Sequence, residues 1–249
     1  MRKSTNTALY GLLSFCFGSL LALSACTKTF DDKTPGELGF TKGSSFQLAI
    51  ATVGASRNYI HVDGAPQNGA ALSTGSIFPG GTGNYGFSVL AGNRAFLLRD
   101  TLSTTTQAQL SFANVVGVNK NYTIFAFDTI TTPKQKTVET SIVIPNDTTA
   151  RIRFANFIYN PNGMPPVDVF SLYQNANVFT NVSITDVTGF VSYPSKIGVD
   201  TLYVRETGTT NLLAKVAISG LTPQRSYTVL YRGSGRALGL KTASLFANW

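Results

Sequence analysis

The chain has 249 residues, a formal charge of +8 and two cysteines, and only 13% of its residues are charged. That length supports one large or two small domains with real cores. The scattered basic residues form no run of the kind that binds nucleic acid, and the cysteines are too few for a disulfide framework.

Arg2 and Lys3 open the chain, and an apolar run over 8–23 follows. The stretch 23–26 then reads Leu-Ser-Ala-Cys. A basic start, an apolar core and small residues are the layout of a secretory signal peptide. The cysteine after the small residues resembles the lipobox of bacterial lipoproteins. That resemblance implies cleavage before Cys26 and acylation of its sulfur and of the new amino terminus. Each buried methylene contributes roughly 0.8 kcal/mol, so more than one acyl chain makes a lasting anchor. The alternative, a signal anchor retained as a membrane helix, is disfavoured because the run falls short of the roughly 20 residues a span needs. Removing residues 1–25 leaves 224 residues and a charge of +6, because Arg2 and Lys3 leave with them. Cys16 is lost as well, so the mature chain is expected to hold no disulfide, no cofactor and no thiol chemistry.

Residues 26–43 are polar, with Pro35, Gly36 and Gly39, and read as a tether from lipid to folded body. A flexible tether of this kind spans roughly 20 Å. Its Asp31-Asp32 pair resembles the short acidic signals that send some Bacteroidetes lipoproteins to the cell surface, and a plain solvated linker accounts for it equally well. The expected location is therefore the outer membrane, with the face left open.

From residue 45 the texture is that of short strands: Gly, Thr, Asn, Val and Phe abound, and helix formers are sparse. The pattern predicts strands over 46–53, 58–62, 87–90, 95–99, 107–114, 122–127 and 137–144. Asp63-Gly64 and the glycine-rich stretch 80–84 supply turns. After Pro145-Asn146-Asp147 the pattern begins again, with strands over 150–157, 167–173, 189–193, 201–205, 212–218 and 227–231, and a last one within 238–246. Four short matches recur in the same order. Val62-Asp63 aligns with Val167-Asp168, and Tyr85-Gly86-Phe87 with Thr188-Gly189-Phe190. The stretches 97–100 and 203–206 align, as do 121–124 and 226–229. Repetition in register predicts a duplication, with β-sandwich domains at 44–145 and 146–249.

The second half resembles the bacterial family called domain of unknown function 4397. The residues that carry the likeness are Ala150, Arg153, Phe154 and Asn156, then Val167-Asp168-Val169, Thr188-Gly189-Phe190, Leu202-Tyr203-Val204 and Tyr227-Thr228-Val229 before Gly233. The first half matches more faintly, at Val62-Asp63, Gly86-Phe87 and Tyr122-Thr123-Ile124. The resemblance implies an all-β chain of two tandem immunoglobulin-like sandwiches in an envelope or secreted protein. It brings no catalytic residues with it.

Chemistry is hard to find in the residues themselves. His61, the single histidine, lies between Ile60 and Val62 on a strand, without a recognisable triad or metal ligand set. Asp63 and Asp168 stand out because they recur. They are candidates for binding carboxylates, or for structural acceptors of backbone N–H groups. Calcium would want several acids close in sequence, and none cluster here. The loop over 80–83 lacks the Lys-Ser/Thr of a phosphate cradle. Tyr85 is a candidate binding residue in the 80–85 loop, and Trp249 either packs the last strand or serves as a sugar platform. Thr101, Thr129, Thr148 and Thr201 each follow an aspartate, a pattern that resembles the Bacteroidetes O-glycosylation acceptor. The expectation is a non-catalytic envelope lipoprotein, anchored in the membrane through its acyl chains and binding a glycan or another envelope protein, with nucleic acid excluded. An enzyme or accessory acting on envelope glycan is the alternative. The loops over 80–85 and 181–188 are the expected binding loops.

Overall fold

The computed structural model describes residues 42–249 apart from 81–84, 143, 145, 196–197, 236–239 and 249. Cys26, the tether over 26–41, Trp249 and most of the 80–85 loop therefore lie outside the described residues. Phe40–Trp249 forms one compact unit. Every regular element within the described residues is a strand, and none of them contains a helix long and apolar enough to cross a membrane.

The first half holds β1 (Gly43–Ile50), β2 (Tyr59–Val62), β3 (Ala65–Pro66), β4 (Ile77–Phe78), β5 (Phe87–Leu90), β6 (Gly92–Arg99), β7 (Leu110–Val116), β8 (Asn121–Phe127) and β9 (Lys134–Glu139). The second holds β10 (Ala150–Tyr159), β11 (Val167–Ser171), β12 (Ala176–Val182), β13 (Val191–Tyr193), β14 (Val199–Glu206), β15 (Leu212–Ser219), β16 (Ser226–Ser234) and β17 (Lys241–Ala247).

These strands form four sheets. The first outer sheet runs β3-β2-β6-β7 and the first inner sheet β4-β1-β8-β9, with β5 also on the β1 edge. The second inner sheet runs β13-β10-β16-β17 and the second outer sheet β12-β11-β14-β15. One pairing scheme thus appears twice. In each half the opening strand lies parallel to the penultimate one, β1 to β8 and β10 to β16, and antiparallel to a short strand on its other edge.

This order departs from the expected immunoglobulin-like one, in which the first two strands pair with each other. Here β1 and β2 belong to different sheets, as do β10 and β11. The alternating pattern of each segment predicts a strand and its buried face. The choice of neighbour is made between strands far apart in the chain.

Three apolar clusters lie between the four layers. Phe46, Leu48, Ile60, Phe96 and Ile124 fill the first half. Ile152, Phe154, Val169, Leu202 and Tyr231 fill the second. A third cluster sits between the two inner sheets, with Ala49, Ala51 and Phe125 from one half against Ala155, Phe157, Leu230 and Phe246 from the other. The rings of Phe125 and Phe157 stack there at 4.6 Å. Both faces of the inner sheets are therefore covered. That is why β1 and β10 carry long buried runs instead of clean alternation.

The pairing register also corrects the internal matches. If 97–100 aligns with 203–206, then Phe96 corresponds to Leu202. Val62 lies opposite Phe96 and Ser171 lies opposite Leu202, so Val62 corresponds to Ser171 and not to Val167. Asp168 instead faces Arg205, a place that Tyr59 holds opposite Arg99 in the first half. Asp63 and Asp168 are therefore not equivalent. The Gly86-Phe87 match is out by one residue, since Phe87 faces Phe46 as Val191 faces Ile152. The match of 121–124 with 226–229 holds, because Asn121 pairs with Ser45 as Ser226 pairs with Arg151.

Candidate functional site

The two candidate carboxylates turn out to hold backbone. Asp63 follows β2 with φ +49°, and Gly64 comes next at +82°, the left-handed pair a tight hairpin needs. Its Oδ1 accepts the Ala95 N–H at 2.9 Å and its Oδ2 accepts Arg94 Nη1 at 2.9 Å. The Ala95 N–H and the Arg94 side chain hold its carboxyl below the usual range. Arg94 also donates to the carbonyls of Leu90 and Ala91, so it clamps the β5–β6 turn.

Asp168 is 6% exposed and accepts four donors. The Asn181 N–H and the Thr207 hydroxyl reach Oδ1 at 2.8 and 3.0 Å. The Gly208 N–H and Asn177 Nδ2 reach Oδ2 at 3.1 and 3.3 Å. Burial pushes this carboxyl up, but the donors from Asn181, Gly208 and Thr207 outweigh it and leave it below the usual range. Asp63 borders the first outer sheet and Asp168 lies in the second outer sheet, so the two do not face a common cleft.

Asp200, read from sequence only as the neighbour of Thr201, is a second acceptor of four donors. Its Oδ2 takes the hydroxyls of Ser171, at 2.6 Å, and of Tyr193. Its Oδ1 takes the N–H groups of Tyr173 and Thr201. Burial and the carboxylate beside it push the Tyr193 hydroxyl up. This buried trio fastens the β11–β12 turn.

His61 is half-buried in β2, opposite Leu97 and Pro66, and its buried Nδ1 finds no partner among the described residues. Among the described residues no three His, Cys, Asp or Glu gather as a metal site would require. Tyr85 lines a shallow cleft beside Gln47, Tyr122 and Asn248, where the Arg225 guanidinium lies 5.2 Å from its ring. A cavity of about 230 Å³ opens beside Ser141, Arg151, Phe190 and Ser226, where the halves meet.

The expected binding loop over 181–188 is engaged with the rest of the body. Lys136 Nζ of the first half donates to the Thr185 carbonyl at 2.7 Å. Val187 packs on the third apolar cluster, and Thr185 and Thr188 hydrogen-bond to β10. Of the candidate acceptor threonines, Thr101 and Thr148 are exposed. Thr129 is half-buried, its hydroxyl bonded to those of Thr131 and Thr132. Thr201 is half-buried in mid-strand in β14.

The outward face of the second outer sheet has a different character. Val169, Leu202, Val204 and Ala214 point into the core, so their neighbours Phe170, Tyr203, Arg205 and Lys215 point out. Phe170 faces Tyr203, and Tyr203 faces Lys215, across adjacent strands. The Arg205 guanidinium lies over the Phe170 ring at 4.0 Å and 5.3 Å from the Tyr203 ring. Its cross-strand neighbour Asp168 is saturated by other donors, and the buried Arg205 Nε has no hydrogen-bond partner among the described residues. Sequence reading missed this set because its residues come from three separate strands.

No family model matches the chain, and no curated protein matches it. Similar solved structures include a streptococcal virulence factor described for α-glucan binding. It is 13% identical over 75% of this chain and 92% of that one, with a TM-score of 0.23. Family 41 carbohydrate-binding modules from streptococcal virulence factors are 10% identical over the same shares, with a TM-score of 0.24. At such scores the likeness is too loose to carry an argument about ligand or strand order.

Proposed function

We propose that the chain is an envelope lipoprotein, acylated at Cys26, whose body is a non-catalytic module that captures glycan. The observation that carries the binding assignment is the outward face of the second outer sheet. The half-exposed Tyr203 ring and a guanidinium laid over Phe170 are fixed there on paired strands, ready to meet a ligand at a small ordering cost. Sugar rings present apolar C–H faces to aromatic side chains, and their polar groups accept from cations and hydroxyls. The basic-apolar-small order that ends at Cys26 supports the envelope location, and the resemblance to domain of unknown function 4397 agrees with it. The four donors on each of Asp168 and Asp200, and the Ala95 N–H and Arg94 on Asp63, favour a structural role for the acids over acid–base chemistry.

The test is a pull-down of the purified protein on a panel of insoluble and soluble polysaccharides, with reducing ends measured over hours. Retention without release of reducing ends is expected. Turnover lost in Asp168→Asn while the fold persists would replace the binding module with a hydrolase.

A further inference from the structure

The outward face of the second outer sheet has a charge preference built into it. Arg205 is stacked on Phe170 at 4.0 Å, so one plane of the guanidinium is covered and its torsions are restricted. No described carboxylate forms an ion pair with Arg205 or with Lys215. Lys215 is exposed and faces Tyr203, the residue two before Arg205 on β14. Diagonal neighbours on adjacent strands lie roughly 7–8 Å apart. Two cationic side chains thus share this face with Tyr203, which adjoins both.

We propose that this face binds a linear acidic polysaccharide, with a uronic-acid carboxylate on the outer edge of Arg205 and a neighbouring one at Lys215. Tyr203 packs against the sugar ring between them. The planar fork of a guanidinium matches a carboxylate in two parallel hydrogen bonds, which a flexible lysine cannot do. Neutral glycan would use only the rings, and the guanidinium already covers one of the two. The inference rests on the glycan-binding reading above and adds the ligand's charge and the residues that select it.

The probes are polygalacturonate and alginate as acidic chains and dextran as the neutral one, in affinity electrophoresis of the full chain. Retention by both acidic chains, none by dextran, and loss of retention at high salt are expected. Arg205→Ala should weaken retention about tenfold or more, the effect of losing a charge-assisted pair. Arg205→Lys should restore only part of it, and Lys215→Ala should weaken it less. Arg99→Ala removes the same charge from the exposed end of β6 and should change nothing. Thermal melts of each variant separate lost binding from lost fold. Equal retention by dextran, or equal weakening by Arg99→Ala, would overturn the acidic-ligand assignment while leaving the glycan module standing. No retention by any of the three polysaccharides would overturn both.

Discussion

Arg153 donates from Nη2 to the hydroxyl of Thr123 at 2.9 Å, joining β10 of one half to β8 of the other. The same nitrogen reaches Thr140 at 3.2 Å, and Nε reaches Thr228 at 2.9 Å. Asn248 and Gln47 make a second link between the halves, Nδ2 to Oε1 at 2.8 Å. The register makes these two links counterparts. Gln47 faces Thr123 as Arg153 faces Thr228, and Thr140 and Asn248 each follow the strand that pairs with β8 or β16. Position 47 of the first half touches position 248 of the second, and position 153 of the second touches position 140 of the first. That reciprocity defines an isologous contact, formed here inside one chain.

Burial lowers the Arg153 guanidinium to about 10, and no described carboxylate pairs with it. Three hydroxyls and the rings of Phe190 and Phe125, at 4.9 and 6.0 Å, surround it instead. Arg153→Ala leaves those hydroxyls without their charged donor and opens a void. A loss of about 2–4 kcal/mol in urea unfolding is expected. A loss near zero would mean that water takes over its bonds.

The third apolar cluster makes the halves depend on each other. Calorimetry of the full chain should show one cooperative transition, because unfolding either half exposes Phe157, Leu230 or Phe125. Phe157→Asp should split the melt into two steps or lower it sharply. Two separate transitions in the wild type would show that the interface contributes little.

Acid should weaken the fold through Asp168 and Asp200. Both carboxyls lie below their ordinary value in the folded protein, where burial is outweighed by their donors. Unfolded, they titrate near about 3.9. Their stabilisation is therefore complete above that value and is lost as pH falls through the lower folded value. The melting temperature should be flat from neutral pH to about 5 and drop below about 4. Asp200→Asn should flatten that drop at the cost of lower stability at neutral pH. An unchanged acid slope would remove Asp200 from the account.

Most strand positions could be read from the sequence. Phe87–Leu90 and Val191–Tyr193 fall within their expected segments, and β10 starts at Ala150 where its expected segment begins, although Arg153 is buried instead of facing out like Arg151. β12 escaped because Asn177 and Asn181 are poor strand formers, and its pairing with β11 is interrupted by register shifts. The third cluster escaped because Ala155 and Phe157 look like ordinary core residues until a second sheet covers them. Local pattern gives the face that is buried, but not what buries it. The same limit explains the acids. Asp63 and Asp168 look alike in sequence, yet they sit at different register positions with different donors.

At the amino terminus, Cys26→Ser should move the protein from the membrane to the soluble fraction or leave an uncleaved precursor. A fatty-acid probe should label the wild type alone. Unlabelled wild type would remove the anchor and with it the envelope assignment.

The reciprocal contact between the halves has a consequence for folding at high concentration. Residues 140–149 join β9 to β10 across the boundary. The face that β10, β16 and β17 offer to their own first half is equally complementary to the first half of another molecule. Two chains can therefore trade second halves and keep the contacts of the third cluster and both polar links, with only the connecting segment rerouted. Such exchanged dimers should accumulate when the protein refolds from denaturant at high concentration. They should persist after dilution, because release requires the third cluster to open.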